Sequence, residues 1–338
     1  MMRGHAACTL LVLLSAAKAA PATANDSEAA IALGGIELVQ NNAISMDSED
    51  LFISADEVRV AYRFTNRSAK DIETLVSFPL PAIPGGLGPW YGDGQIPDLR
   101  RLDFRTVIDG KPAKLTNIEK AEVAGRDVTT RVKALGWPVA WFTGEGSAPD
   151  FVDKLTPAQR DALIKEGLLR REQGAGGVVL PAWDMVTHVT RRQLFPAGKT
   201  VSVTHRYVPI TGGSVAGSLY PVARKYPDWK DYAGRYCIDK SFLAAFDARE
   251  ARGRQNKPDS PAVYSETWIG YVLSSGRNWR GPIKQFRLVI DKGKPGNLIS
   301  FCMDGVKKIS PTRFEVLKTN FEPKGDLDIM IAQWHETD

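Results

Sequence analysis

The chain has few of the residues that most often build metal and redox chemistry, with 4 histidines and 3 cysteines among 338 residues. None stands at ligand spacing, since no Cys-x-x-Cys, His-x-His or His-Glu-x-x-His pattern occurs. A zinc centre is not expected, and neither is any other metal or cofactor. The Gly-x-Ser-x-Gly elbow of many serine hydrolases is missing as well. Gly85-Gly86-Leu87-Gly88 lacks the Walker lysine and a following helix, so it makes no phosphate cradle. Charge of one sign is also scarce: 44 Lys and Arg face 39 Asp and Glu, a net charge of +5. So small and scattered a surplus gives no reason to expect nucleic acid as a partner.

What stands out is the beginning. Met1-Met2-Arg3 leads into an apolar stretch from Ala6 to Ala17, and small residues follow as far as Ala22-Thr23-Ala24. A positive start, about a dozen apolar residues and a small-x-small exit are the pattern of a secretory signal peptide. The expected cut follows Ala24, with Ala19 as a competing exit, and the mature chain then works in the periplasm or outside the cell. Arg3 and Lys18 leave with the leader, so the net charge falls by two. Later in the chain no run reaches the roughly 18 apolar residues of a membrane span, so the mature chain is expected to have no transmembrane segment.

Export changes how the cysteines are read. Cys8 leaves with the leader, and Cys237 and Cys302 are an even pair in an oxidising compartment, which favours a disulfide. Closing that loop restricts the unfolded chain by about 4 kcal/mol on an entropic model. Two separate buried thiols are the alternative.

Alternation of apolar and polar residues marks most of the chain as strand. In EVRVAYRFTN, residues Val58, Val60, Tyr62 and Phe64 share one face, and Arg59 and Arg63 share the other. Ile72, Thr74, Val76 and Phe78 alternate again, up to Pro79-Leu80-Pro81. Asp109-Gly110 suits the positive φ angles of a tight hairpin. Val201, Val203, His205 and Tyr207 mark a further inward face, with Arg206 outward. A helix is expected over Thr156 to Glu172, with a Thr156/Gln159 capping box and a stripe of Leu155, Ala158, Ala162 and Leu169. A second is expected over Tyr236 to Ala251, followed by an exposed polar connection as far as Pro261. After Tyr264 five strand-like runs return, enough for a five-stranded sheet.

Four blocks carry a resemblance. IALGGIELVQNNAISMDSEDLFIS, VRVAYRFTNRSAKDIETLVSFPLP, FPAGKTVSVTHRYVPITGG and GRNWRGPIKQFRLVID together resemble an exported bacterial family known as domain of unknown function 4424. That likeness implies secretion and a β-rich fold, and brings no catalytic residues. The Tyr62 to Pro81 block with the Ile108-Asp109-Gly110-Lys111 hairpin is also similar to the vault/inter-alpha-trypsin domain, a β-sandwich interaction module.

The fold expected is mainly β and β-sandwich-like, with a helical insertion, hence α+β over the whole chain. Its regions are 1–24 signal peptide, 25–150 N-terminal β region, 151–177 helical insertion, 178–260 central strand and helix region, and 261–338 C-terminal β region. Candidate ligand-binding aromatics are Trp90 and Tyr91, in a loop dense in Gly and Pro, and Trp137 and Trp141 in GWPVAWFTG. Against this stands the more ordinary role of packing and loop anchoring. Polar candidates are Asp184, His188 and His205, and His205 reads first as a packed, hydrogen-bonded core residue. The expected function is a non-enzymatic binding module for an envelope partner protein or a surface polymer. The alternative is an extracytoplasmic hydrolase of cell-wall or carbohydrate substrates, which needs two facing carboxylates.

Overall fold

The computed structural model describes residues 26–32, 35–83, 102–141, 148–172, 177–215, 217–256 and 263–335. Among these, strands form three sheets and a small ribbon. The largest sheet runs in spatial order β18 (Lys307–Lys308), β19 (Arg313–Phe321), β16 (Ile283–Asp291), β3 (Ile44–Ile53), β4 (Val58–Asn66), β13 (Thr200–Tyr207), β6 (Arg105–Ile108) and β7 (Lys111–Pro112). A second holds β2 (Gly35–Val39), β1 (Ser27–Ala32), β5 (Ile72–Pro79), β12 (Asp184–Phe195), β8 (Thr116–Val123) and β9 (Arg126–Asp127). A third holds β14 (Thr211–Val215), β15 (Val263–Tyr271), β20 (Leu327–His335) and β17 (Leu298–Phe301). The ribbon pairs β10 (Leu169–Arg171) with β11 (Val179–Pro181). The chain is mainly β.

Alternation decides which way each strand faces. Val58, Val60, Tyr62 and Phe64 are all buried, and Arg59, Ala61 and Arg63 of the same strand are exposed. The inner face of the large sheet is covered by the other two sheets side by side. Val76, Phe78, Val189 and Phe195 come from the second sheet, and Ile269, Tyr271, Ile329 and Ile331 from the third. Burying such side chains contributes roughly 1.5–3 kcal/mol each, which makes this shared core the main source of stability. The Asp109-Gly110 hairpin forms as expected, with φ of 47° and 81°.

Two helical regions pack on smaller cores. α1 (Thr129–Ala134), α2 (Asp150–Asp153) and α3 (Pro157–Glu166) lie around Val132, Val152, Leu163, Leu180 and Trp183. The Thr156/Gln159 capping box is present, but the expected stripe is not. Leu163 is the buried residue of α3, Ala158 and Ala162 face solvent, and Leu169 already belongs to β10, because Gly167 takes a left-handed φ of 82° and ends the helix. α4 (Trp229–Arg235) and α5 (Lys240–Asn256) pack with Phe246, Tyr264 and Met330. The second expected helix is thus shifted towards the C-terminus. Cys237 turns the chain with φ 51°, and Asp239 accepts the Phe242 backbone N–H as a helix cap. The polar run expected as a connection continues α5 to Asn256. Cys237 and Cys302 form the expected disulfide, with Cα atoms 5.1 Å apart.

The C-terminal strands do not make one five-stranded sheet. β16, β18 and β19 extend the large sheet, and β15, β17 and β20 build the third. Residues on both sides of position 261 therefore share one ladder, and β16 joins β3 in parallel, with Leu288 opposite Leu51 and Val289 opposite Phe52.

Candidate functional site

The outer face of the large sheet is built by the residues that alternation turns away from the core. Register then aligns them. Phe52 on β3 is opposite Arg59 on β4, Arg59 is opposite Arg206 on β13, and Arg206 is opposite Arg105 on β6. Like charges directly opposite on neighbouring strands are destabilising, so a row of three arginines is not what sheet stability selects. The next row is low: Asp50, Ala61, Thr204 and Val107 occupy the same four strands. Beyond it Arg63 is opposite Ser202. The result is a groove of about 660 Å3, lined by Arg59, Arg105, Arg206, Arg287 and Arg313, with Phe52 and one carboxylate, Asp50.

Each guanidinium of the lining is held by a carboxylate. Glu57 takes both Arg59, at 2.8 Å, and Arg206. Asp103 holds Arg105 at 2.8 Å, and Asp291 holds Arg313 at 2.8 Å. Arg287 donates to Glu315 at 2.9 Å and to Asp50 at 3.2 Å. The Phe52 ring lies under the Arg59 guanidinium at 4.6 Å, with that of Arg313 at 5.8 Å. Burial works to raise the Asp291 carboxyl, but hydrogen bonds from Arg313 and the Gly293 N–H outweigh it and hold the group below its usual range. Exposed ion pairs of this kind add little to stability, typically about 0–1 kcal/mol. Their effect here is to orient guanidinium forks, which match carboxylate and phosphate oxygens two at a time.

The expected polar residues lie elsewhere. His205 is on β13 but points inward, 2% exposed, with Nδ1 hydrogen-bonded to Thr106 Oγ1 at 2.8 Å. Its Nε2 stands 3.2 Å from Asp26 Oδ2, out of line for a good hydrogen bond. Burial, outweighing the nearby Asp26 charge, holds this imidazole below its ordinary range and therefore neutral. Asp26 itself is sealed in the core, bound by Arg191 at 2.9 and 2.5 Å. Burial alone would raise its carboxyl, and the Arg191 and His205 contacts reverse that and lower it. His188 is on the other face of the second sheet, its Nδ1 3.0 Å from the hydroxyl of fully buried Ser77. Burial and the Lys120 charge push His188 down to about 4. Asp184 begins the same strand four residues earlier, ~13 Å away along an extended chain, so the two do not form an acid and imidazole pair.

The aromatic candidates divide. Trp90 and Tyr91 lie outside the described residues. Trp141 is buried and donates its indole N–H to the Trp183 carbonyl at 3.3 Å, which makes it a core anchor and leaves no face for a ligand. Trp137 is half-buried against Phe151 and Trp183, with centroids 4.9 and 6.1 Å away. Sequence reading missed Phe52, Arg105, Arg287 and Arg313 as a group, and also Asp26 with Arg191. Alternation signals the outward arginines of β4 and β13, but only the strand register brings the rest beside them. Among the described residues, no group of three or more His, Cys, Asp or Glu is placed to hold a metal ion. None of their helices is long and apolar enough to cross a membrane.

Fold and surface together define a mainly β protein with an arginine-lined groove on a sheet face. The chain belongs to the family described as "Domain of unknown function (DUF4424)", whose model matches residues 24–330. No curated protein matches it. A solved structure titled as a "putative nutrient binding protein" from Legionella pneumophila subsp. pneumophila str. Philadelphia 1 is similar at 15% identity, over 92% of this chain and 70% of that one. Its TM-score is 0.41.

Proposed function

We propose that this protein is an exported, non-enzymatic binding module that takes an anionic segment of an envelope partner or surface polymer into the arginine-lined groove. The observation that carries this reading is the convergence of five guanidiniums on one open groove, each oriented by a carboxylate that it already pairs with. Glycoside cleavage uses two carboxyl groups facing each other across the substrate, and this lining favours holding an anion over cutting a sugar. The Cys237–Cys302 bond supports export, because disulfides persist in oxidising compartments. So does the signal-like first 24 residues.

The test is binding of an immobilised acidic peptide and an immobilised acidic glycan to native protein and to Arg59→Ala/Arg206→Ala. Loss of at least ten-fold in affinity for either probe is expected, with no loss in Arg192→Ala on the second sheet. Equal binding by native and double-variant protein to both probes would sink the reading. So would turnover of a glycan that Asp50→Asn abolishes without unfolding the chain.

A further inference from the structure

The groove has a direction as well as a charge, and the direction selects among anions. Arg59, Arg206 and Arg105 stand on three successive strands in one cross-strand row. Neighbouring strands are about 4.8 Å apart, so the row roots an arginine at each such step and spans ~10 Å across the strands. Beside it, in the same direction, runs the low row of Ala61, Thr204 and Val107. This is a trough across the strands with a wall of arginines and a floor of small side chains.

An acidic peptide does not keep step with this row. Its same-side residues recur every ~6.8 Å when extended, so by the third arginine it is out of register by several ångströms. A linear glycan advances about one strand spacing per sugar ring, and where successive rings turn over, its same-side carboxylates recur every second ring and come opposite alternate arginines of the row. The flat floor also suits a ring, since Ala61 and Val107 offer apolar contact and Thr204 a hydroxyl. Charge does not decide alone. Glu57 and Asp103 pair with the three arginines, so the wall keeps only a small surplus and recognition rests on oriented hydrogen bonds.

Resting on the groove reading above, we infer that the occupant is a linear polyuronate glycan lying across β4, β13 and β6, with about one sugar ring per strand. Titration calorimetry with galacturonate oligomers of increasing length tests it, alongside neutral glucose oligomers, polyphosphate and polyglutamate. Uronate affinity should rise with length until the three arginines are covered and then level off, and neutral oligomers should not bind. Arg206→Gln should weaken uronate binding at least ten-fold, and Arg206→Lys should restore only part of it, because the fork is lost. Arg206 is exposed, and an unchanged unfolding midpoint checks that its variants fold. Polyglutamate or polyphosphate binding more tightly than uronate through Arg206 overturns the glycan and leaves the groove reading standing. If no anion depends on Arg59, Arg105 or Arg206, both fall.

Discussion

Asp26 is the residue on which the centre of the core depends. It neutralises Arg191, both are almost fully buried, and the Trp279 indole N–H donates to its backbone carbonyl at 2.6 Å. Removing one partner of a buried pair leaves an uncompensated charge, so Asp26→Ala should cost about 3–5 kcal/mol in urea unfolding. A loss under about 1 kcal/mol would show that water reaches Arg191. His188 gives a pH signature. Its folded-state value is about 4, against an ordinary 6.5, so the unfolded chain binds a proton that the folded chain refuses. The His188 contribution to stability should therefore be lost as pH drops from about 6.5 to 4, by about 3 kcal/mol in all, and His188→Gln should reduce the slope in that window. Single residues were only partly legible in the sequence. The inward face of Val58, Val60, Tyr62 and Phe64 follows from alternation, whereas Asp26 looks like any early carboxylate until folding sets it beside a residue 165 positions away.

Strands and helices were legible where local chemistry fixes them and obscure where packing does. The capping box of α3, the Asp109-Gly110 hairpin and the inward face of β13 all follow from neighbouring residues. The stripe on α3 and the length of α5 do not, because a nearby core chose Leu163 and a cap at Asp239 chose the start. β15 offers a test of this scale. Its Glu266 is buried, with Tyr232, Tyr264 and Trp268 donating to the carboxylate at 2.5, 2.9 and 3.0 Å. A methyl group at Gly217 would come 2.2 Å from Glu266 Oε1. Gly217→Ala should therefore push the carboxylate off its donors and lower stability by roughly 1–3 kcal/mol. Tyrosine and tryptophan near-ultraviolet signals should change with it. An unperturbed spectrum at native stability would show that Glu266 moves without cost.

At the scale of the whole molecule, the regions drawn along the sequence share their sheets. Periodicity identifies a strand without naming its neighbour, so the β3–β16 pairing across 237 residues from Asp50 to Arg287 was invisible, and with it the groove. A fragment of residues 25–260 lacks β16, β19 and every strand of the third sheet except β14. It should show no cooperative urea transition, and a sigmoidal one would mean that the N-terminal strands hold a core of their own. The same pairing also sets a timetable. A chain that emerges from its N-terminus displays β3 and β4 well before Ile283 arrives, and during that interval β3 has an open edge able to pair with any passing strand. Arrest of the chain before residue 283 therefore leaves β3 with an edge that has no β16 to cover it.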